Sequence, residues 1–420
     1  MKIARHILLT YIILLSVFTL FIILVHAIPT RWVVGNVSRS ADDIMKEGIF
    51  WKVGNVELFK IDNMTDCMMM NMNADVDDAH VVRSAMINEY GKNFTGARGY
   101  YGMAASTKEL ATGGRQAMHD QVDYGRYWNG YQVIVRPLLL LFHYHQIRVI
   151  NYICLLALLL AVVWAMLRCY RKVYALLFLV SLLLINFPIV PLAIQFSTCF
   201  YIAFSGMLAV MLFSKKGLNN TQAIVLFFVI GALTSYLDFL TTPQITLGFP
   251  LLLCLLDKRI KQKYRYILSV ALSWVAGYAL LWASKWLMAY LLVGVNVFDS
   301  AVESMKLRVS DSVVMKGNSI TIPYLFRLME GKLFGVISPV VVLLAILALL
   351  AAVSLFIYRY RVSARRFAYM LVVASIVPVW YCVMKNHTVQ HIFFTWRAIV
   401  VTVYSLLLYI YFILKTEHHE

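Results

Sequence analysis

Two aspartates in a polar segment are the first residues whose type and spacing could do chemistry. Asp62 and Asp66 stand four positions apart, so in a helix they would lie close to one face. A carboxylate in such a position can accept the proton of an attacking hydroxyl group. Asp66 is the first choice for this base because it would begin a helix with an apolar face, and Asp62 is the second. The alternative is structural, since Asn63 or Thr65 could cap that helix and leave the aspartates merely solvated.

A group of basic and aromatic residues follows at the end of the same segment. Its members are Arg126, Tyr127, Trp128, Tyr131, Arg136 and Arg148. The planar guanidinium group binds phosphate through two parallel hydrogen bonds, so these residues are candidates for a substrate site that holds a phosphate. The alternative is that the aromatic rings form an ordinary belt at the membrane surface.

Further along the chain, polar residues that could bind a substrate lie beside apolar stretches. Asp238, at the end of one stretch, should face a bundle interior or a wet cavity, because a carboxylate against lipid is costly; pairing with an arginine is the alternative. His387 and His391 stand at a spacing that metal sites use, but no HExxH motif accompanies them. We therefore predict that these histidines and Arg397 contact a phosphate or a hydroxyl group. No metal ligand is assigned, and a divalent cation, Mg²⁺ or Mn²⁺, stays open as a cofactor.

The segment that holds the two aspartates is polar in an otherwise apolar chain. Residues 28–131 contain 13 of the 21 acidic residues and 11 of the 38 lysines and arginines, so their net charge is −2. The remaining residues, with 27 basic and 8 acidic side chains, carry +19. This segregation predicts that one long segment faces water while the rest of the chain lies largely in lipid.

Composition identifies the class of protein. Of the 420 residues, 61% are hydrophobic, which is more than a soluble protein of this length needs. Apolar runs predict an all-α polytopic membrane protein with about ten transmembrane helices. The predicted spans are residues 7–27, 148–167, 174–187, 198–213, 222–240, 243–256, 267–289, 334–357, 368–384 and 394–414. The six cysteines include no CxxC pair, so neither a zinc site nor a disulfide framework is predicted.

Positive charge in the short connections sets the predicted orientation. The connections at 168–172, 215–216, 257–265 and 358–366 are all basic and fall on the same side when the N-terminus is cytoplasmic. The net charge of +17 is thereby explained without nucleic acid, which is not a predicted partner.

The same orientation divides the chain into three predicted parts. They are an N-terminal tip with the first span (1–27), a large outer segment (28–147), and a transmembrane bundle (148–420) with a second outer loop at 290–333. The stretch from Tyr131 to Phe142 is apolar but too short to span a membrane. It predicts a juxtamembrane interfacial helix at the end of the outer segment.

This plan resembles the GT-C class of integral-membrane glycosyltransferases. The resemblance lies in an aspartate in the first outer loop (Thr65-Asp66), an amphipathic juxtamembrane helix (131–142), Leu237-Asp238-Phe239, and the stretch from His387 to Arg397. The chain differs from the class in one respect: the aspartate of the class usually follows the first span closely, whereas Asp66 lies about 39 residues beyond Ala27. The choice between Asp62 and Asp66 therefore stays open.

The resemblance implies an activity, a location and partners. Such an enzyme transfers a sugar from a polyprenyl-phosphate donor to a periplasmic or cell-surface acceptor, a glycan or a lipid-linked molecule, with inversion at the anomeric carbon. It would lie in the bacterial inner membrane with its site facing outwards, among membrane lipid. The runner-up functions are a glycan-lipid carrier or flippase and a polysaccharide polymerase or ligase. A carrier would need charges deep in its spans, for which Lys285 is the candidate.

The predicted orientation can be tested by cysteine labelling. We expect Tyr100→Cys, in a background without the native cysteines, to react with an impermeant maleimide added outside intact cells. Gln262→Cys should react only after the cells are permeabilised, because the basic connection that holds it faces inwards. Labelling of position 262 but not of position 100 in intact cells would overturn the orientation.

Overall fold

The structure is a computed structural model, and it describes residues 2–55, 59–93, 99–213, 217–311, 320–334 and 365–417. Nearly all regular structure in these residues is helical, which confirms the all-α class. The first nine helices are α1 (Lys2–His26), α2 (Val34–Glu47), α3 (Asn63–Ala74), α4 (Val81–Ile87), α5 (Gly99–Gly113), α6 (Gln132–Leu138), α7 (Tyr144–Cys169), α8 (Lys172–Leu184) and α9 (Ile194–Leu212).

The remaining helices follow the second half of the chain. They are α10 (Asn220–Leu237), α11 (Gln244–Leu255), α12 (Lys263–Val293), α13 (Phe298–Val309), α14 (Ile322–Phe334), α15 (Tyr369–Val383), α16 (Lys385–Gln390), α17 (Ile392–Thr395) and α18 (Val400–Glu417). The described strands, β1 (Tyr90–Lys92) and β2 (Asp120–Val122), form one antiparallel pair with Gly91 opposite Gln121.

Six helices of the described chain are long and apolar enough to cross a membrane. They are α1, α7, α9, α10, α12 and the continuous stretch Ile392–Lys415, which contains α17 and most of α18. Three further apolar helices, α8, α11 and α15, have only 13, 12 and 15 residues. At about 1.5 Å per residue these three are shorter than a hydrocarbon core of about 30 Å.

Nine of the ten predicted spans fall on these apolar helices. The tenth, at 334–357, lies outside the described residues after its first position. The structure therefore establishes six candidate membrane helices, and the count of ten stays a prediction. Helices α8, α11 and α15 are shorter than their predicted spans because turns interrupt the apolar runs. An example is the 3₁₀ turn Phe187–Leu192, which follows α8.

The interior of the bundle is filled with aromatic rings. Phe178 of α8 lies edge-to-face against Phe204, Phe249 and Tyr404, with ring centres 5.9, 5.2 and 5.5 Å apart. These four rings are buried and come from α8, α9, α11 and α18. Because lipid is as apolar as the rings, this packing stabilises the bundle through van der Waals contact rather than through a hydrophobic force.

The outer segment contributes most residues of a second hydrophobic core, which also includes Ile194 of α9. Helices α2, α3 and α5 pack around Val37, Ile44, Met69, Met70 and Met103, all of them buried. The apolar pattern predicted a helix from Asp66 to about His80, whereas α3 begins at Asn63 and ends at Ala74. From Asp66 to Ala74 every residue of α3 is buried, because other elements surround this helix on all sides.

The segment before α7 contains a shorter helix than its sequence predicts. The expected juxtamembrane helix covers 131–142, but α6 ends at Leu138, immediately after Pro137. Ile134 is 58% exposed and Leu141 is 74% exposed, whereas Val135 is buried. The predicted second outer loop, 290–333, contains the two helices α13 and α14. Residues 312–319 between these helices lie outside the described part of the chain.

Two glycines allow α10 and α12 to approach closely. A Cβ atom on Gly231 of α10 would lie 2.1 Å from the carbonyl oxygen of Trp274 in α12. A Cβ atom on Gly277 of α12 would lie 2.1 Å from the carbonyl oxygen of Phe228 in α10. Small residues at facing positions are the usual means by which membrane helices pack backbone to backbone.

We expect Gly231→Ala and Gly277→Ala each to lower the apparent Tm of the purified protein in detergent. The added methyl group meets backbone atoms that cannot rotate away, and overpacking of this kind costs about 1–3 kcal/mol. Gly35→Ala in α2 is the matched control, because nothing lies within 4 Å of its added Cβ. Equal Tm values for all three variants would show that α10 and α12 do not pack through these glycines.

Candidate functional site

A cavity of about 570 Å³ lies between the outer segment and the bundle. Its walls come from the stretch before α3, the first turns of α3 and α9, the end of α13, and the helices α16 and α17. The lining residues are Phe50, Lys60, Asp62, Met64, Thr65, Met68, Tyr90, Tyr124, Gln195, Phe239, Leu307, Arg308, His387, Gln390, His391, Phe393 and Phe394. The cavity thus combines one carboxylate, two cationic side chains, two histidines and several aromatic rings.

Asp62 is the carboxylate of this cavity, and it also caps α3. Its Oδ1 accepts hydrogen bonds from the backbone N–H groups of Met64 and Thr65, at 3.0 and 3.2 Å. Its Oδ2 accepts from the Thr65 hydroxyl at 2.5 Å and from Gln195 Nε2 at 2.6 Å. The capping residue is therefore Asp62 rather than Asn63 or Thr65. The carboxylate is held at the cavity wall by donors from both α3 and α9.

Asp66 lies one turn further into α3 and is not a lining residue of the cavity. Its Oδ2 accepts from the Tyr144 hydroxyl at 2.6 Å and from the Ile194 N–H at 2.8 Å, and its Oδ1 accepts from the Gln195 N–H at 3.1 Å. These N–H groups belong to the first turn of α9, where the helix itself offers them no partner. Asp66 of α3 thus caps the N-terminus of α9. The favourable interaction between its negative charge and the helix N-terminus adds to the stabilisation that these hydrogen bonds give.

Burial raises the pKa of both carboxyl groups, and the hydrogen bonds that they accept oppose this effect. For Asp66 the pKa rises to about 6, and that of Asp62 moves in the same direction. Burial is the larger cause because both side chains are almost completely removed from solvent.

Arg308 supplies positive charge to the cavity, and the sequence analysis did not single it out. It lies in the last turn of α13, and its Nη1 contacts Nδ1 of His387. Its other N–H groups make no hydrogen bond within the described residues, and they are not buried. A single arginine among the mixed charges of 298–311 carries no sequence signal, since only α13 brings it to the cavity. Lys60 is a second cation at this wall and lies over the Phe50 ring at 4.9 Å.

His387 and His391 both line the cavity but have different surroundings. The two nitrogens of His387 are occupied, since Nε2 lies 2.7 Å from the Leu240 carbonyl oxygen and Nδ1 faces Arg308. The nitrogens of His391 make no hydrogen bond within the described chain and stay accessible. Burial and the charge of Arg308 lower the pKa of His391 to about 3 and that of His387 well below its usual range, so both rings are neutral.

The residues of the cavity do not fit a divalent cation. Among the described residues no group of three His, Cys, Asp or Glu side chains is placed to hold a metal ion. The ring centres of His387 and His391 lie 4.8 Å apart, but both nitrogens of His387 are already in use. The carboxylate oxygens of Asp62 are likewise engaged with donors from α3 and α9.

Arg126, Tyr127 and Trp128 attach the end of the outer segment to α12. The indole N–H groups of Trp282 and Trp286 donate to the Arg126 carbonyl oxygen at 2.8 and 3.1 Å. The buried Trp128 donates its own indole N–H to the Leu281 carbonyl oxygen at 2.7 Å, and the Tyr127 ring stacks on Trp282. None of the three is a lining residue of the cavity.

The guanidinium of Arg126 still lies beside the cavity, because it packs on a lining residue. Its Cζ is 4.3 Å from the centre of the Tyr124 ring and 5.1 Å from that of Tyr127. Arg126 therefore stabilises this aromatic wall by cation–π contact.

The predicted phosphate-binding arginines Arg136 and Arg397 do not meet at the cavity. Buried Arg136 donates to the carbonyl oxygens of Asn73 and Ile28, the latter at 2.7 Å, and so fastens the end of α3 to the end of α1. Buried Arg397 donates to the Phe393 carbonyl oxygen at 2.6 Å and lies over the Phe196 ring at 5.1 Å. Neither side chain lines the cavity, because both are buried where they donate to backbone carbonyl oxygens of their own surroundings, and the Nε of each has no hydrogen-bond partner within the described residues.

Two further predicted residues support the walls. Asp238 accepts hydrogen bonds from the N–H and hydroxyl of Thr241, at 2.8 and 2.5 Å, within the turn after α10. It is therefore not paired with an arginine. Tyr131 is buried with its ring 4.8 Å from that of Phe239, a lining residue of the cavity.

An apolar groove of about 360 Å³ lies on the other side of Tyr131. It runs between α6, α7 and α9. Its lining residues are Tyr131, Ile134, Val135, Leu138, Ile147, Ile150, Asn151, Cys154, Ile194, Thr198, Tyr201 and Leu237. Ile194 lines this groove and its neighbour Gln195 lines the cavity, so the first turn of α9 contributes to the walls of both spaces.

We expect Asp66→Ala to lower the apparent Tm, because loss of a helix cap costs about 0.5–2 kcal/mol. Asp66→Asn should be milder, since its amide oxygen can still accept from the N–H groups of α9. The raised pKa also sets a pH dependence: the stability gained by protonating Asp66 is present below about pH 4 and lost as pH rises through about 6.

The Tm of the wild type relative to that of Asp66→Asn should therefore fall as the pH rises from about 4 to about 6. A pH-independent difference between the two proteins would contradict a buried, ionisable cap at this position.

Comparisons with known proteins do not assign the site. No family model, no curated protein and no solved structure matches the chain.

Proposed function

We propose that the chain is a membrane glycosyltransferase of the GT-C type. It transfers a sugar from a polyprenyl-phosphate donor to a hydroxyl group of a glycan or lipid-linked acceptor, with inversion at the anomeric carbon. The observation that carries the proposal is the cavity, which holds a carboxylate, an accessible guanidinium and aromatic rings, and which shares the first turn of α9 with an apolar groove.

The groove and the cavity match the two parts of such a donor. An isoprenoid chain is apolar and suits the wall formed by Ile134, Leu138 and Ile147. The phosphate attached to it would then enter the cavity past the first turn of α9, which lines both spaces, and reach Arg308. Arg308 is the cation that we assign to this phosphate, in place of Arg136 and Arg397, because its N–H groups are accessible. The guanidinium fork binds phosphate with two hydrogen bonds.

The aromatic residues of the cavity suit the sugar. Tyr90, Tyr124 and Phe239 supply flat surfaces on which the C–H faces of a sugar ring can pack, and Gln195 and Gln390 offer amide groups for its hydroxyls. Sites of this kind are mostly apolar, with a few polar groups that fix the orientation of the ligand.

The transfer itself is a single displacement. The acceptor oxygen forms a bond to the anomeric carbon while the bond from that carbon to the phosphate oxygen breaks. The electron pair leaves with the polyprenyl phosphate, and Arg308 stabilises the charge that develops there. The acceptor proton passes to a carboxylate acting as general base. Attack opposite to the leaving group inverts the configuration.

We assign the base to Asp62 rather than Asp66. Asp62 is the carboxylate that borders the cavity, whereas Asp66 is directed to the N-terminus of α9. Four donors hold Asp62, so a substrate hydroxyl must displace one of them. The Thr65 hydroxyl is that donor, because it lines the cavity and can rotate away without breaking a backbone hydrogen bond.

The membrane arrangement forms part of the same proposal. The ten spans, the outer segment 28–147 and the outer loop 290–333 would place the cavity on the outer face of a bacterial inner membrane. The support is the basic character of the connections opposite to the cavity, among them Lys258, Arg259 and Lys261.

Lys285, the deep charge that a carrier function would use, is held by a structural contact rather than left free for a transported ligand. Lys285 is buried in α12, where its Nζ donates to the Ala85 carbonyl oxygen at 3.0 Å and lies 5.3 Å from the Trp128 ring centre. It thereby attaches α4 of the outer segment to the bundle. This geometry gives the carrier function no specific support.

Donor binding can be tested with decaprenyl phosphate as the probe. We expect the purified protein to bind decaprenyl phosphate and to bind decaprenol, which lacks the phosphate, at least tenfold more weakly, because a charge-assisted contact to Arg308 contributes about 1.5–3 kcal/mol. Arg308→Gln should remove this preference. Equal binding of both lipids by the wild type would refute the donor assignment.

The base can be tested with the isosteric pair Asp62→Asn and Asp66→Asn. Asparagine is a good helix cap, so both variants should reach the membrane at normal levels. We expect Asp62→Asn to lower release of decaprenyl phosphate from decaprenyl-phosphate sugars by about 10²–10⁴, the usual contribution of a general base. Asp66→Asn should retain most of the activity. The reverse pattern would return the base to Asp66, and full activity of the double variant would exclude both.

A further inference from the structure

We infer that His387 is a positioning residue, which holds the Arg308 guanidinium in the cavity through a relay that begins at Asp238 and passes through the Leu240 carbonyl. The inference rests on the proposed function in taking a lipid-linked phosphate as the ligand of Arg308. It gives His387 a different role from the direct substrate contact that the sequence predicted.

The relay begins in the turn between α10 and α11. Leu240 has a φ of +63°, a left-handed conformation that is uncommon for a residue with a side chain. The turn is held in this shape by Asp238, which accepts hydrogen bonds from the N–H and the hydroxyl of Thr241. Strained backbone of this kind persists only where its surroundings fix it, and it is common at functional sites.

The next link fixes which nitrogen of His387 carries the proton. The Leu240 carbonyl oxygen, 2.7 Å from Nε2, can only accept, so Nε2 must donate. A neutral imidazole then has its lone pair on Nδ1, which is the atom that faces Arg308 Nη1. Burial and the neighbouring guanidinium lower the pKa of His387, which agrees with a neutral ring.

The last link explains why a histidine suits this position. A carboxylate could hold an arginine equally well, but it would cancel the positive charge that an anionic ligand needs. An imidazole lone pair fixes the guanidinium and leaves its charge intact. No carboxylate of the described residues lies within ion-pair distance of Arg308. Because a free arginine side chain populates many rotamers, a fixed partner lowers the entropy lost on binding.

The alternative role for His387 is purely structural, since a buried histidine with two satisfied nitrogens also stabilises its surroundings. Two substitutions separate these roles. Glutamine places an amide near Nε2, so His387→Gln can keep the bond to Leu240 while it loses the acceptor at Arg308. Asparagine places its amide near Nδ1, so His387→Asn can keep an acceptor for Arg308 while it loses the bond to Leu240.

The experiment measures the Kd for decaprenyl phosphate and the apparent Tm of both variants, beside wild type and Arg308→Gln. We expect His387→Gln to bind about tenfold more weakly, which is the low end of what a hydrogen bond to a charged group contributes. His387→Asn should bind within about threefold of the wild type, because its amide oxygen is an acceptor for the guanidinium without the Leu240 bond, which His387 needs only to keep its lone pair on Nδ1. Inorganic phosphate, measured as a competitor, distinguishes a site for the anion alone from one that requires the lipid.

Each outcome bears on one hypothesis. If Arg308→Gln weakens binding but His387→Gln does not, the relay is wrong and the proposed function stands. If Arg308→Gln binds like the wild type, the assigned phosphate site is wrong. Equal weakening by the Asn and Gln variants, matched by equal losses of Tm, would reduce His387 to a structural residue. Should Arg308→Gln fail to fold, Arg308→Lys is measured in its place. Lysine keeps the positive charge but lacks the planar guanidinium fork.

Discussion

The first turn of α9 is the point on which the arrangement of the cavity depends. Its N–H groups have no partner within the helix, and the side chain of its own capping residue, Ala193, offers none. Asp66 accepts from Ile194 and Gln195, and Tyr144 of α7 donates to the same carboxylate. A buried charge would be costly without these three donors, and the buried N–H groups would be costly without the charge. Each therefore compensates the other, and α3, α7 and α9 are held together.

The same joint positions the candidate catalytic group. Gln195 follows Ile194 at the start of α9, and its side chain donates to Asp62. The distance between the cap Asp66 and the proposed base Asp62 is one helical turn, so the two carboxylates share a scaffold but face different partners. One turn of α3 thus connects the stability of the bundle to the geometry of the cavity.

The arginines predicted to bind phosphate illustrate how burial decides between structure and function. Arg136 is fully buried and donates to backbone carbonyl oxygens, and Arg148 pairs with Glu47 through two hydrogen bonds of 2.6 and 2.9 Å. Arg397 is likewise engaged with the Phe393 carbonyl. Arg136 and Arg148 therefore have few donors left for a ligand, and the buried Arg397 is not a lining residue of the cavity. Arg308 differs, because a neutral histidine orients it and its other N–H groups remain accessible.

The sequence by itself determined the class of the protein and the character of its parts. Long apolar runs have one stable solution in lipid, the α-helix, because every backbone polar group must be paired within its own segment. Against these apolar runs, composition and spacing also revealed the polar segment, the aspartate pair and the histidine pair. Of these residues, Asp62, His387 and His391 line the cavity.

The tertiary structure decided which candidates face that cavity. Asp62 and Asp66 have the same chemistry and lie four residues apart, and only the approach of α9 distinguishes a cavity wall from a helix cap. Arg308 lies 242 positions from Asp66, in a stretch with mixed charges, and no local pattern links the two. Such long-range contacts are set by how the helices pack, which depends on shape and on glycines such as Gly231 and Gly277 rather than on spacing along the chain.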